Sequence, residues 1–141
     1  MIISKTPYRI SFFGGGSDYP NWYNNYSGSV LSTTIDKHIY ITCRHLPNFF
    51  NHKFRIIWSK LESVKKINQI KHNAVRNLLK ELNIKKGLEI HYDGDLPARS
   101  GMGSSSCFVV GLSNVLFNFL NIKKNKKQLY KFAINLSLIH I

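Results

Sequence analysis

Apolar and polar positions alternate over several short runs in the first half of the chain. Tyr8-Arg9-Ile10-Ser11-Phe12-Phe13 alternates and predicts a strand. The β-branched run Ile2-Ile3-Ser4-Lys5 precedes it, and Pro7 interrupts the two. Ser29 to Ile35 and His38 to Arg44 read as two strands, with Asp36-Lys37 between them as a hairpin turn. Phe54 to Trp58 and Leu88 to Tyr92 predict further strands. The period then changes. Ile70, Ala74, Leu78 and Leu82 recur every four residues and draw one apolar stripe on a helix, with Gly87 as its stop signal. Phe108, Leu112, Val115, Leu116 and Phe119 share the face of a second helix, and a third is predicted from Lys126 to Leu136. Strands come first and helices mostly later, which implies an α+β fold with an antiparallel or mixed sheet. The regular strand–helix alternation of a doubly wound fold is missing, and there is no internal repeat.

Composition narrows this picture. The 141 residues suit one domain, and 43% apolar against 19% charged residues marks a globular chain. No apolar run approaches the roughly 18–20 residues of a membrane span, and Met1 to Lys5 shows no signal-peptide pattern. Cys43 and Cys107 stand far apart, which disfavours a disulfide scaffold, a structural zinc site and secretion. A cytoplasmic protein is expected. The net charge of +13 comes from 20 basic and 7 acidic residues, and 15 of the basic ones are Lys. Readers of phosphates and bases lean on Arg forks. The lysines are spread along the chain apart from Lys123 to Lys127, so they read as solvated surface, and no nucleic-acid or membrane partner is expected.

Two segments carry chemistry. Pro97-Ala98-Arg99-Ser100-Gly101-Met102-Gly103-Ser104-Ser105-Ser106 is a Gly-Ser loop that feeds an apolar helix. Glycines allow positive φ and close approach of a ligand, and the first turn of a helix presents free N–H groups and a positive dipole end. Together these make an anion site. Read alone, the loop is also consistent with a simple serine cap. It is not a Walker loop, because no Lys follows the glycines. The second segment, Pro7-Tyr8-Arg9-Ile10-Ser11-Phe12-Phe13-Gly14-Gly15-Gly16-Ser17-Asp18-Tyr19, ends a strand with a guanidinium, three glycines and a carboxylate. Asp18 suits sugar hydroxyls and Arg9 suits a phosphate or a developing alkoxide. The alternative is a Gly-rich turn with Asp18 as its local cap.

At these two segments the sequence resembles the sugar-kinase branch of the GHMP kinases. Pro97 to Ser106 is similar to the ATP-binding motif Pro-x-x-x-Gly-Leu-Gly-Ser-Ser-Ala, with Met102 for Leu and Ser106 for Ala. Gly14-Gly15-Gly16-Ser17-Asp18-Tyr19-Pro20 is most similar to the branch acting on D-glycero-D-manno-heptose 7-phosphate. Galactokinases carry Glu-His where Gly15-Gly16 stand, and fucokinase-type enzymes share a related pattern. The resemblance implies that residues 1–141 are the N-terminal domain of such a kinase, similar to domain 2 of ribosomal protein S5. It implies ATP phosphates over Pro97, Arg99, Ser100, Gly101, Met102, Gly103, Ser104, Ser105 and Ser106, with Ser105 on Mg²⁺. It implies a sugar phosphate held by Arg9, Gly14, Gly15, Gly16, Ser17 and Asp18, with Arg9 stabilising charge. The family's catalytic Asp, Mg²⁺-binding Glu and third motif lie beyond these residues. The chain is therefore expected to be an N-terminal part of a longer kinase, covalently joined to a C-terminal domain, with little activity alone.

Other residues have plainer readings. Asp93 and Asp95, beside Gly94 and Pro97, read as turn residues rather than an acid–base pair. His38, His45 and His52 recur every seven residues, but on strands and loops, which argues against a metal site. Trp22 and Tyr23 either line a sugar site or anchor their loop. Arg99 is a candidate contact to nucleotide or substrate phosphate. Cys43 and Cys107 read as small buried apolar residues. The competing class is a non-catalytic, basic RNA-binding domain of the same fold.

Overall fold

Ile2–Phe13 forms one strand, β1, that runs straight through Pro7 in the computed structural model of the protein. The structure describes the backbone of residues 1–140 and the side chains of residues 1–136. The terminal apolar run Ser137 to Ile141 therefore lies outside the described side chains. Pro7 does not break the strand because β1 is the edge of the sheet, where a missing N–H leaves no ladder partner unpaired. β1 pairs antiparallel with β2, Leu31–His45, which is also a single strand. The hairpin expected at Asp36-Lys37 is not formed. Between the pairs Pro7–His38 and Arg9–Thr34, Tyr8 alone lies opposite Ile35, Asp36 and Lys37. The polar pair sits in this bulge, and a bulge and a turn share the same exposed polar signature. Asp95 secures the bulge by accepting the His38 N–H at 2.7 Å.

The sheet has five strands in the order β1-β2-β5-β3-β4. β3 is Phe54–Ile57, β4 is Leu61–Val64 and β5 is Leu88–Gly94. β5 runs antiparallel to β2 and parallel to β3, while β3 and β4 are antiparallel, so the sheet is mixed as expected. β4 is too short and too polar to be legible in sequence. A turn in which the Trp58 N–H donates to the Lys60 carbonyl at 3.0 Å folds it back on β3. The aromatic loop after β1 contains a single helical turn, α1, at Pro20–Tyr23.

Helix α2, Asn73–Glu81, takes in only Ala74 and Leu78 of the predicted stripe: Ile70 precedes the helix, Leu82 is its C-cap, and the face it buries is Val75, Leu78 and Leu79. It ends at Asn83, not at Gly87. Asn83 adopts φ 49°, and the N–H groups of Asn83 and Ile84 close on the carbonyls of Lys80 and Leu79. Helix α3, Ser104–Phe119, is buried almost all round rather than on one stripe, with Asn114 and Asn118 exposed. Helix α4, Lys126–His140, starts at a reciprocal cap between Asn125 and Gln128. α3 packs on β1 and β2, and α4 packs on α3. The strands alternate buried and exposed, so one sheet face joins the helices in the core. Ile39, Ile41, Ile56, Leu88 and Ile90 meet Leu78, Leu79, Leu112 and Leu116 there.

Candidate active site at the start of helix α3

The two glycine-rich segments are joined directly. The Arg9 N–H donates to the Met102 carbonyl at 3.2 Å, and the Cys107 thiol donates to the Pro7 carbonyl at 3.1 Å. Tyr8, fully buried, donates its hydroxyl to the Leu96 carbonyl at 3.1 Å, where the loop leaves β5. Burial pushes the Tyr8 pKa up to about 12, with Tyr92 adding to the shift, so the hydroxyl remains a donor. Burial also raises the Cys107 thiol, against an opposing effect of Arg9. Both cysteines are buried and free, as read from sequence.

The loop ends in the conformation an anion site needs. Gly103 is the N-cap of α3 at φ 72°, and no side chain caps the helix. The N–H groups of Ser104, Ser105 and Ser106 are therefore without a side-chain acceptor at the positive end of the helix. A Cβ at Gly103 would sit 3.0 Å from the Arg9 Cγ, so a side chain there would displace the Arg9 side chain. The Ser100 hydroxyl oxygen is buried without a hydrogen-bond partner.

On one side of this turn lies a cavity of about 590 Å³ lined by Arg9, Ser17, Asp18, Tyr23, Ser106 and Tyr130, among others. Arg9 is half-buried and donates from Nη1 to the Ser11 hydroxyl at 2.6 Å. The Asp18 carboxylate accepts the Gly16 N–H at 3.0 Å, so it is both a turn cap and a wall of the cavity. Gly14, Gly15 and Gly16 do not line the cavity. They shape the turn behind it, which Ser17 pins to the Gly14 and Ser29 carbonyls at 2.8 and 3.2 Å. Trp22 stacks on Tyr26, with ring centroids 5.1 Å apart, and does not line the cavity. Tyr130 was not foreseen, because nothing in a lone helical tyrosine signals which cavity it borders.

On the other side lies a second cavity, also about 590 Å³, bordered by Trp58, His72, Tyr92, Arg99, Ser104, Ser105 and Phe108. Its aromatic wall comes from four separate elements and had no sequence signature. His72 meets Trp58 edge-on at 4.9 Å and Phe108 at 5.0 Å. His72 also caps α2, its Nδ1 accepting the Val75 N–H at 3.4 Å. Burial pulls its pKa below the ordinary histidine value, partly opposed by the charge of Glu62. Arg99 adopts φ 63° and borders this cavity. Pro97 lies exposed at the start of the loop and borders neither cavity. Asp93 lies within β5, opposite Tyr40, rather than in the expected turn, and its carboxylate accepts the Gly94 N–H; Asp95, just past β5, accepts the His38 N–H across the sheet.

The residues present fit a polyphosphate. They offer uncapped N–H groups, a partnerless serine hydroxyl and a guanidinium across the loop. For Mg²⁺ the loop offers the Ser105 hydroxyl, and no carboxylate among the described residues borders the second cavity. No group of three or more potential metal ligands occurs among the described residues. No described helix is long and apolar enough to cross a membrane.

Comparison with known proteins bears on the family and the fold. Residues 67–140 match the GHMP kinases N terminal domain. The chain is 26% identical to a D-glycero-alpha-D-manno-heptose 7-phosphate kinase of Campylobacter jejuni, over 94% of this chain and 42% of that protein. Its fold is similar to a D-glycero-D-manno-heptose 1-phosphate kinase from Bacteroides thetaiotaomicron, with TM-score 0.81, 23% identity and coverage of 96% and 47% of the two chains. It is also similar to the Methanococcus jannaschii mevalonate kinase, with TM-score 0.72, 22% identity and coverage of 96% and 45%. The chain thus spans less than half the length of these relatives. With more than half of its residues matched to that domain, the chain belongs to the GHMP kinases.

Proposed function

We propose that this chain anchors nucleotide and sugar in an ATP-dependent sugar-phosphate kinase. One observation carries the reading: the first turn of α3 is a shared wall, with Ser104 and Ser105 bordering one cavity and Ser106 the other. A phosphoryl group over that turn would face both. Phosphoryl transfer relies on positioning and charge neutralisation more than on covalent help from the protein. The N–H groups of Ser104 to Ser106 spread the negative charge of the phosphates, and Mg²⁺, when bound through Ser105, adds further neutralisation. Arg9 favours the ionising sugar hydroxyl, and Asp18 accepts hydrogen bonds from neighbouring hydroxyls. The sugar oxygen forms a bond to the γ-phosphorus, the bond to ADP breaks, and the hydroxyl proton departs.

The acceptor we favour is the anomeric hydroxyl of D-glycero-D-manno-heptose 7-phosphate, which gives a 1,7-bisphosphate. The Gly14 to Pro20 motif and the name of the Campylobacter jejuni relative support it. A fucokinase-like or other sugar acceptor is the alternative within the family. The share of the relatives' length that the chain covers supports a division of labour, in which further chain supplies the proton acceptor and remaining metal ligands. Isothermal titration of residues 1–141 with ATP and with a panel of sugar phosphates tests the reading. Saturable binding of ATP and of the heptose phosphate is expected, with no steady turnover. Binding of neither overturns the kinase reading, and steady turnover overturns the division of labour.

A second reading has one observation in its favour. Lys53, Lys65, Lys66, Lys80 and Lys85, dispersed in sequence, converge on a concavity of about 570 Å³ that no acidic residue lines. A polyanion such as RNA would suit it. Filter binding over a salt series decides: tight binding with a steep salt slope favours RNA.

A further inference from the structure

Glu62 is the one charged side chain buried among the described residues, at 7% exposure on the edge strand β4. Its carboxylate collects three donors. The Trp58 indole N–H reaches Oε1 at 3.0 Å, the Lys71 N–H reaches Oε2 at 2.6 Å, and the His72 N–H reaches Oε1 at 3.2 Å. A carboxylate without such donors would be costly at this depth. With them it ties a strand turn to the start of α2, where the helix dipole favours negative charge. The two rings so held, Trp58 and His72, stand at 78° to each other and border the cavity that contains Ser104 and Ser105.

We infer that Glu62 is a positioning residue for nucleobase recognition: through the Trp58 indole and the backbone of residues 71–72 it holds the aromatic wall of the cavity beside the phosphate loop. This inference rests on the proposed nucleotide site. A flat heteroaromatic base gains affinity from an aromatic wall only when the rings are held in place before it arrives. Glu62 itself borders neither cavity, so it acts through its partners. In Glu62→Gln the amide nitrogen replaces one acceptor and faces a donor, which frees one of the three tethers.

The test compares ATP with inorganic tripolyphosphate, which has no base. Both are titrated into residues 1–141 carrying Trp22→Phe, so that Trp58 is the sole indole reporter. The expected result for Glu62→Gln is an ATP Kd raised about tenfold, a red-shifted Trp58 emission and an unchanged tripolyphosphate Kd. Should Glu62→Gln fail to fold, Trp58→Leu removes the wall and keeps the carboxylate with two donors. It is expected to show the same selective loss, and equal weakening of both ligands there overturns the inference. Equal weakening of both ligands in Glu62→Gln means a merely structural role and overturns it, as does no change in either. If the parent protein binds neither ligand, the nucleotide reading itself fails. If the parent binds tripolyphosphate and ATP equally, the phosphate loop stands and the base site falls.

Discussion

Arg9 and Met102 are bound backbone to backbone, the Arg9 N–H donating to the Met102 carbonyl at 3.2 Å. This bond joins the start of the Pro7–Tyr19 segment to the middle of the Gly-Ser loop, 93 residues later in sequence. It holds the β1 backbone at Arg9 against the loop that leads into α3 as one unit.

Gly103 is where this unit is tightest. Gly103→Ala places a Cβ 3.0 Å from the Arg9 Cγ and forces a side-chain-bearing residue to φ 72°. A loss of roughly 1–2 kcal/mol of stability is expected. ATP affinity is expected to fall further than stability accounts for, because the first turn of α3 moves. Thermal melts with and without ATP measure both; an unchanged Tm shift on adding ATP contradicts it.

Gly14 controls the other cavity. It has φ 78°, and a Cβ there would collide with the Ser29 carbonyl. Gly14→Ala is expected to open the turn that presents Ser17 and Asp18. Sugar-phosphate affinity should fall at least tenfold, about 1.4 kcal/mol, with ATP affinity kept. Parallel titrations of the two ligands check this separation.

Tyr8 links β1 to the root of the loop. Tyr8→Phe removes its hydroxyl and leaves the Leu96 carbonyl without that donor. A destabilisation of roughly 1–2 kcal/mol is expected. Urea unfolding should show it as a lower midpoint with an unchanged slope.

His72 makes stability depend on pH. Its folded pKa lies below the ordinary 6.5, chiefly through burial. Below pH 6.5 the unfolded chain thus binds more protons than the folded one, and stability falls as pH drops toward the folded pKa. Protonation also removes the Nδ1 acceptor that caps α2. His72→Asn keeps a capping oxygen without a titrating group. Its Tm should vary less than that of the parent between pH about 7 and 5. Parallel curves for the two proteins would contradict the assignment.

Local periodicity and glycine chemistry were enough for much of this protein. The presence of helix α2, the loop before α3, the α+β class and the family itself follow from residues near one another in sequence. Short-range physics acts there: side-chain period, positive φ and free helix N–H groups are all properties of a few adjacent residues. Where long-range pairing competes with a local signal, the tertiary structure decided. Asp36-Lys37 has the chemistry of a turn, yet β1 pairs along both halves of β2 and turns the pair into a bulge. Pro7 looks like a break, yet an edge position needs no N–H. β4 had no local signal at all; its place depends on β3 beside it and on Glu62 beneath Trp58 and α2. The aromatic wall of Trp58, His72, Tyr92 and Phe108 has no spacing that any sequence pattern records. Strands 3 and 5 and helices 2 and 3 bring these rings together only once the core has closed, because burial is shared among residues that are distant along the chain.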